Sequence, residues 1–174
     1  MESVLKLIRD IPDFPKPGII FKDITPVLAD GPAFKKLIDW YVMAMEEAGG
    51  VDVIAGIESR GFIFGAPVAQ RLGIGFIPIR KPGKLPFTTH KETYDLEYGT
   101  DTLEIHTDAV KQGAKVAIID DLLATGGTAG AAVNLVEKVG GEVAAVAFAI
   151  ELGFLEGRKK IDLPDEKIFN FIQY

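Results

Sequence analysis

Two adjacent aspartates, Asp120 and Asp121, follow the apolar run Val116-Ala-Ile-Ile119 and precede Leu122-Leu-Ala-Thr-Gly-Gly-Thr128. Neighbouring ionised carboxylates repel each other and cost stability unless something outside the chain satisfies them. Ala124, Thr125, Gly126, Gly127 and Thr128 are small or hydroxylic, so backbone N–H groups can close around an anion at the N-terminus of a helix beginning near Thr128. The chemistry on offer is a phosphate cradle beside two acceptors for sugar hydroxyls.

Cations that could meet a second anion lie elsewhere in the chain. Arg60, within Glu58-Ser-Arg-Gly-Phe62, carries a planar fork of donors suited to phosphate oxygens. The bland alternative is a solvated ion pair with Glu58, which is weak. The segment Arg80-Lys-Pro-Gly-Lys-Leu-Pro-Phe-Thr-Thr-His-Lys-Glu92 has four cations and no periodic pattern. Loops of this length are commonly functional lids, and Lys81 and Lys84 could bring charge over a bound polyanion; an ordinary basic loop is the alternative. His90 and His106 stand without a second histidine or acid at ligand spacing, so neither suggests a metal site.

Strands alternating with helices hold these residues in place. Val51–Gly56, Ile74–Ile79, Val116–Ile119 and Val143–Ile150 are strand-like apolar runs, with a further piece at Ile168–Ile172. Such runs suit parallel strands covered on both faces, and the carboxyl ends of those strands face a ligand crevice. Helices are expected over about Pro32–Ala48, from Phe62 to Gln70 and over Gly127–Val139, giving an α/β fold with a mostly parallel central sheet flanked by helices. Tyr94–Gly99 and Thr102–His106 alternate as a half-exposed hairpin turning near Gly99-Thr100. At the start, Val4, Leu5, Leu7, Ile8 and Ile11 recur at helical spacing, and the three prolines of Ile11–Gly18 predict an irregular loop. Ile19–Ile24 is β-prone, and Thr25-Pro26 predicts a helix N-cap with proline in the first turn.

With 174 residues and 48% hydrophobic content, one compact domain is expected. A net charge of −6 argues against a nucleic-acid partner, which calls for a basic face. There is no cysteine, which excludes disulfides and thiolate metal sites. No apolar run approaches the roughly 20 residues that span a bilayer, and nothing at Met1 resembles a signal peptide, so the expectation is a cytoplasmic protein with no membrane association. The signatures of bare dinucleotide and nucleoside-triphosphate sites do not occur.

Ile118-Ile-Asp-Asp-Leu-Leu-Ala-Thr-Gly-Gly-Thr128 resembles the phosphoribosyl-pyrophosphate motif of the type I phosphoribosyltransferases, in the version of their adenine-specific branch. Phe14–Pro26, Glu58–Phe62, Arg80–Pro86, Leu96–Gly99 and Glu151-Leu152 also have counterparts there, in order. The resemblance implies an enzyme of purine salvage, a glycosyltransferase converting adenine and phosphoribosyl pyrophosphate to AMP and pyrophosphate. It implies Mg2+ carried by the substrate with no direct protein ligand, a homodimer, and a single domain over 1–174. Within that domain 1–30 and 151–174 would contribute a base-binding hood, and 80–106 a mobile flap and hairpin.

By the same resemblance Ala124 to Thr128 hold the 5′-phosphate, and Asp120 and Asp121 the ribose hydroxyls. Ser59, Arg60, Lys81 and Lys84 face the pyrophosphate. Phe21 and Leu152 match positions that sandwich adenine, Ile20 matches a backbone contact to its polar edge, and Lys22 stands where relatives often carry arginine. Glu97 and Tyr98, which as bare sequence read as strand surface, match catalytic flap residues; Arg60 and Asp121 complete the catalytic set. A phosphoribosyltransferase for hypoxanthine, guanine or xanthine is the nearest rival, and a non-catalytic phosphoribosyl-pyrophosphate sensor is the rival from another class.

Overall fold

The computed structural model describes residues 2–95 and 99–174, in two compact units: an amino-terminal unit ending at Trp40, and Tyr41–Tyr174. In the first unit a single helical turn, α1 (Glu2–Leu5), is followed by an antiparallel pair, β1 (Arg9–Pro12) and β2 (Ile20–Asp23). The helix expected to stop before Ile11 ends already at Leu5, and Ile11 and Pro12 are in a strand rather than a loop. A proline is tolerated at the end of an edge strand in a two-stranded ribbon, and the cross-strand pair Arg9–Asp23, at 2.5 Å, fixes the register. Three N–H groups close on the Asp23 carboxylate, one from the Thr25 backbone and two from the Arg9 guanidinium, and hold its pKa at about 2. Helix α2 (Thr25–Ala29) has Pro26 in its first turn as expected, with Ile24 rather than Thr25 at the cap. Helix α3 (Gly31–Glu47) then leads out of this unit.

The larger unit is built on β3 (Val53–Ile57), α4 (Arg60–Leu72), β4 (Gly75–Ile79), β5 (Thr89–Asp95), β6 (Thr100–His106), β7 (Lys115–Leu123), α5 (Gly127–Lys138), β8 (Glu142–Glu151) and β9 (Ile168–Gln173). Five of these strands form one sheet in the order β4-β3-β7-β8-β9, every neighbouring pair parallel. The mostly parallel sheet read from the apolar runs is thus the observed one. The central position of β7 explains why Val116 to Ile119 are all fully buried: both faces of that strand are covered, which the unbroken apolar run requires. One face packs on Ala132, Val133, Leu135 and Val136 of α5 within the main core cluster.

The hairpin β5–β6 is a separate sheet, joined to the end of β4 by a short antiparallel bridge between Arg80 and Glu104. Its first strand begins at Thr89, so the expected irregular flap, Arg80–Glu92, is an irregular loop only to residue 88. The alternation that makes β5 a strand spans Thr89–Asp95 and was masked by the prolines and charges before it. Among the described residues, no helix is long and apolar enough to cross a membrane.

Candidate active site

Asp120 and Asp121 lie near the carboxyl end of β7, where Tyr41 braces the backbone by donating its hydroxyl to the Asp120 carbonyl at 2.8 Å. Tyr41 is fully buried, and burial followed by the two aspartate charges raises its pKa well above the usual phenol value, keeping it a neutral donor. Asp121 is 7% exposed, and its Oδ2 lies 2.6 Å from Nε of Arg60, the first residue of α4. Burial raises the carboxyl pKa of Asp121, and the Arg60 guanidinium opposes the shift. Asp120 is raised further, by burial and then by the adjacent Asp121 charge, while its Oδ1 accepts the Asp121 N–H at 2.9 Å. The repulsion expected from the sequence is therefore met inside the chain in part, by Arg60.

Close packing makes this possible. A Cβ on Gly61 would sit 2.6 Å from the Ile119 carbonyl oxygen and 3.1 Å from Asp120 Oδ1, so glycine lets the start of α4 approach the acid pair. The loop from Ala124 to Gly126 then opens α5, with Gly126 at φ +83°. It lies against the 3₁₀ turn Gly157–Lys160: a Cβ on Gly126 would be 2.0 Å from the Gly157 carbonyl oxygen, and one on Gly157 would be 2.3 Å from that of Ala124. That turn is anchored by Arg158, which grips the buried Glu151 carboxylate at 2.8 Å and donates to Asn170 Oδ1 and to the Ile168 carbonyl.

One cleft of about 410 Å³ gathers Ser59, Arg60, Lys81, Asp120, Asp121, Ala124, Thr125, Gly126 and Thr128. Three further polar side chains line it: Glu58, Tyr94 and Asp101. Glu58 accepts from Lys84 Nζ at 2.7 Å, from Arg80 Nε at 3.2 Å and from the Lys81 N–H at 3.0 Å. Burial pushes its pKa up, yet Lys84 and Arg80 outweigh burial and hold it at about 2. Lys84, expected over a polyanion, is thus engaged with Glu58 in this structure, whereas Lys81 reaches the cleft and contacts Asp101. The peptide between Glu58 and Ser59 is cis.

Of the residues expected at the base, Leu152 directly follows β8, its N–H donating to the Leu123 carbonyl at 2.9 Å, which ties it to the end of β7. In the amino-terminal unit Ile20 is 56% exposed, Phe21 meets the Phe14 ring edge-on at 5.3 Å, and Lys22 Nζ is 2.7 Å from Asp10 Oδ1. Glu97 and Tyr98 lie outside the described residues. Sequence reasoning missed Tyr94, Asp101, Gly157 and Arg158. The period-two pattern of the hairpin, which puts Tyr94 directly across from Asp101, was the signal available for the first two.

A buried acid pair, a small-residue loop opening a helix and two cations in one cleft suit a sugar carrying anionic groups at both ends. Comparison with known proteins gives the same class. Residues 27–173 match the model of the phosphoribosyl transferase domain. The adenine phosphoribosyltransferase of a Roseiflexus species is 60% identical over 99% of this chain and 98% of its own length. The crystal structure of the adenine phosphoribosyltransferase of Thermoanaerobacter pseudethanolicus superposes with a TM-score of 0.94 at 56% identity, covering 99% of both chains. That of Saccharomyces cerevisiae, complexed with adenine and an imino-altritol bisphosphate, gives 0.93 at 42% identity over 98% of this chain and 97% of the other.

Proposed function

The chain belongs to the phosphoribosyl transferase family, on its adenine-using branch, and from that premise we propose how its cleft carries out the reaction. The activity is purine salvage: the phosphoribosyl group of phosphoribosyl pyrophosphate is transferred to adenine, giving AMP and pyrophosphate. The observation that carries our reading of the site is the acid pair Asp120-Asp121, set between the small-residue loop on one side and Arg60 and Lys81 on the other, in a single cleft.

In this reading the N–H groups of Ala124 to Thr128 bind the 5′-phosphate, and the Thr125 hydroxyl adds a donor. Asp120 and Asp121 accept from the ribose hydroxyls, which supplies the partner their raised pKa values leave wanting. Pyrophosphate leaves C1 as positive charge builds on the ring. Asp121 stabilises that charge electrostatically, and Ser59, Arg60 and Lys81, with Lys84 at the margin through Glu58, stabilise the departing anion. Adenine is assigned to Leu152 in the larger unit and to Ile20, Phe21 and Lys22 in the amino-terminal one. Glu97 handles the purine proton and Tyr98 assists on the flap.

Mg2+ is expected to arrive on the substrate. It would neutralise the phosphates through their own oxygens and water, the usual manner for this ion, and the described residues contain no group of three or more potential ligands that would cage it. We further infer a cytoplasmic homodimer; the exposed apolar side chains Met43 and Ile63 on α3 and α4 are available to such a contact. Incubating the purified protein with phosphoribosyl pyrophosphate, Mg2+ and each purine base in turn tests the proposal. AMP from adenine is the expected product; a preference for hypoxanthine or guanine, or no nucleotide at all, would overturn it.

A further inference from the structure

The cleft contains its own counter-charges. Tyr94 and Asp101 face each other across the β5–β6 hairpin, and both line the cleft. The Tyr94 oxygen accepts from the Thr128 hydroxyl at 3.1 Å, and a Cβ on Gly127 would meet the Tyr94 ring at 3.0 Å, so this tyrosine lies against the phosphate loop. Asp101 Oδ2 takes a hydrogen bond from Lys81 Nζ, while Asp101 Oδ1 accepts the Thr102 N–H at 2.8 Å. One cross-strand pair therefore sets a hydroxyl on the loop and a carboxylate on the cation.

Resting on the assignment of Lys81 to pyrophosphate, we propose that Asp101 sets the affinity for the anionic substrate and product: its carboxylate holds Lys81 while the cleft is empty and yields it when pyrophosphate oxygens arrive. Two consequences follow from charge alone. Burial favours the neutral form of Lys81, yet the hydrogen bond to Asp101 raises its pKa on balance, so the lysine waits fully protonated. Once displaced, the aspartate remains beside a polyanion and weakens its binding, which speeds release of pyrophosphate. A residue that merely propped Lys81 in position would act in the opposite direction, because its loss would weaken anion binding.

The test compares the full chain with Asp101→Asn, which keeps an acceptor for the Thr102 N–H without the charge, and with Asp101→Glu. Pyrophosphate affinity is read by titration calorimetry in the presence of Mg2+, beside KM for phosphoribosyl pyrophosphate, KM for adenine and kcat. For Asp101→Asn, pyrophosphate binds about five- to tenfold more tightly, the scale of one partly screened charge, and KM for phosphoribosyl pyrophosphate falls in parallel. KM for adenine stays within about twofold, and Asp101→Glu stays near the parent in every measure. If Asp101→Asn does not fold, Asp101→Ser serves in its place, since its hydroxyl still accepts from Thr102. Unchanged or weaker pyrophosphate binding in a folded variant refutes the proposal while the parent makes AMP; a parent that makes no AMP refutes the functional reading instead.

Discussion

Replacing Arg60 by alanine strips the buried Asp121 carboxylate of a cation 2.6 Å away. Removing one partner of a fully buried pair costs about 3–5 kcal/mol. The Arg60 side chain is 40% exposed and that of Asp121 only 11%, so solvent screens the interaction and roughly halves the loss, to about 2 kcal/mol. For a chain of this size that is a fall of about 4–8 °C in Tm. The sign with pH is specific. Burial already places the folded-state pKa of Asp121 above its ordinary value, and removing the guanidinium raises it further. A carboxyl with a raised folded pKa destabilises the fold as pH climbs from its unfolded value through its folded one. Arg60→Ala therefore differs little from the parent near pH 4 and by the full amount at pH 8. Asp121→Asn removes the stranded charge, so the double variant melts close to Asp121→Asn alone, while all three variants lose at least about 100-fold in turnover. Thermal melts of the four proteins at both pH values, with steady-state rates, check this. A deficit independent of pH, together with additive losses in the double variant, would refute the pairing as the cause.

The other expectations are independent of this pair. Gly126→Ala should weaken binding of phosphoribosyl pyrophosphate at least about tenfold, since left-handed backbone costs a side chain about 1–2 kcal/mol and the new Cβ meets the Gly157 carbonyl; KM measurements report it. Arg158→Ala leaves Glu151, 4% exposed, without its cation and should lower unfolding stability in urea by about 2–3 kcal/mol, with Arg158→Lys intermediate because a single ammonium cannot reproduce the fork. Glu58 has its folded pKa lowered from 4.5 to about 2, so its contribution is present above about pH 4.5 and lost as pH falls to about 2. The stability gap between the parent and Glu58→Gln, about 1–2 kcal/mol at pH 6 after allowance for the exposure of Lys84, should close across that interval in acid denaturation.

The parallel sheet and the β7–loop–α5 unit were legible because their determinants are local. An unbroken run such as Val116–Ile119 has few places to go other than between two helical layers, and small residues after it leave little but a turn. Of the amino-terminal ribbon only the second strand was legible, as the β-prone Ile19–Ile24; the first was not, because Val4, Leu5, Leu7 and Ile8 satisfy a helical period, and the pairing of Arg9 with Asp23, 14 residues on, is a long-range contact that overrides it. The partners of Glu58 were hidden for the same reason. Arg80 is 22 residues away and Lys84 is 26, and no pattern in the chain says that these distant cations reach it. That Asp120 to Gly126 and Thr128 line one cleft could be read from the strand–loop–helix pattern; the wall behind them could not, because Gly157 and Arg158 act through a shape that exists only after folding.

That wall has a consequence for the order in which the protein becomes competent. The phosphate loop follows the central strand in the chain, yet the backbone it rests against at Gly157 is made later, and the turn bearing Gly157 is fastened by Arg158 to β8 and β9. A nascent or truncated chain that ends at β8 contains every residue of the recognition motif but lacks the surface that gives the loop its form. Under the proposed assignment of this loop to the 5′-phosphate, a chain truncated after β8 is expected to bind phosphoribosyl pyrophosphate more weakly than the full chain, because the backbone at Gly157 that the loop rests against is missing.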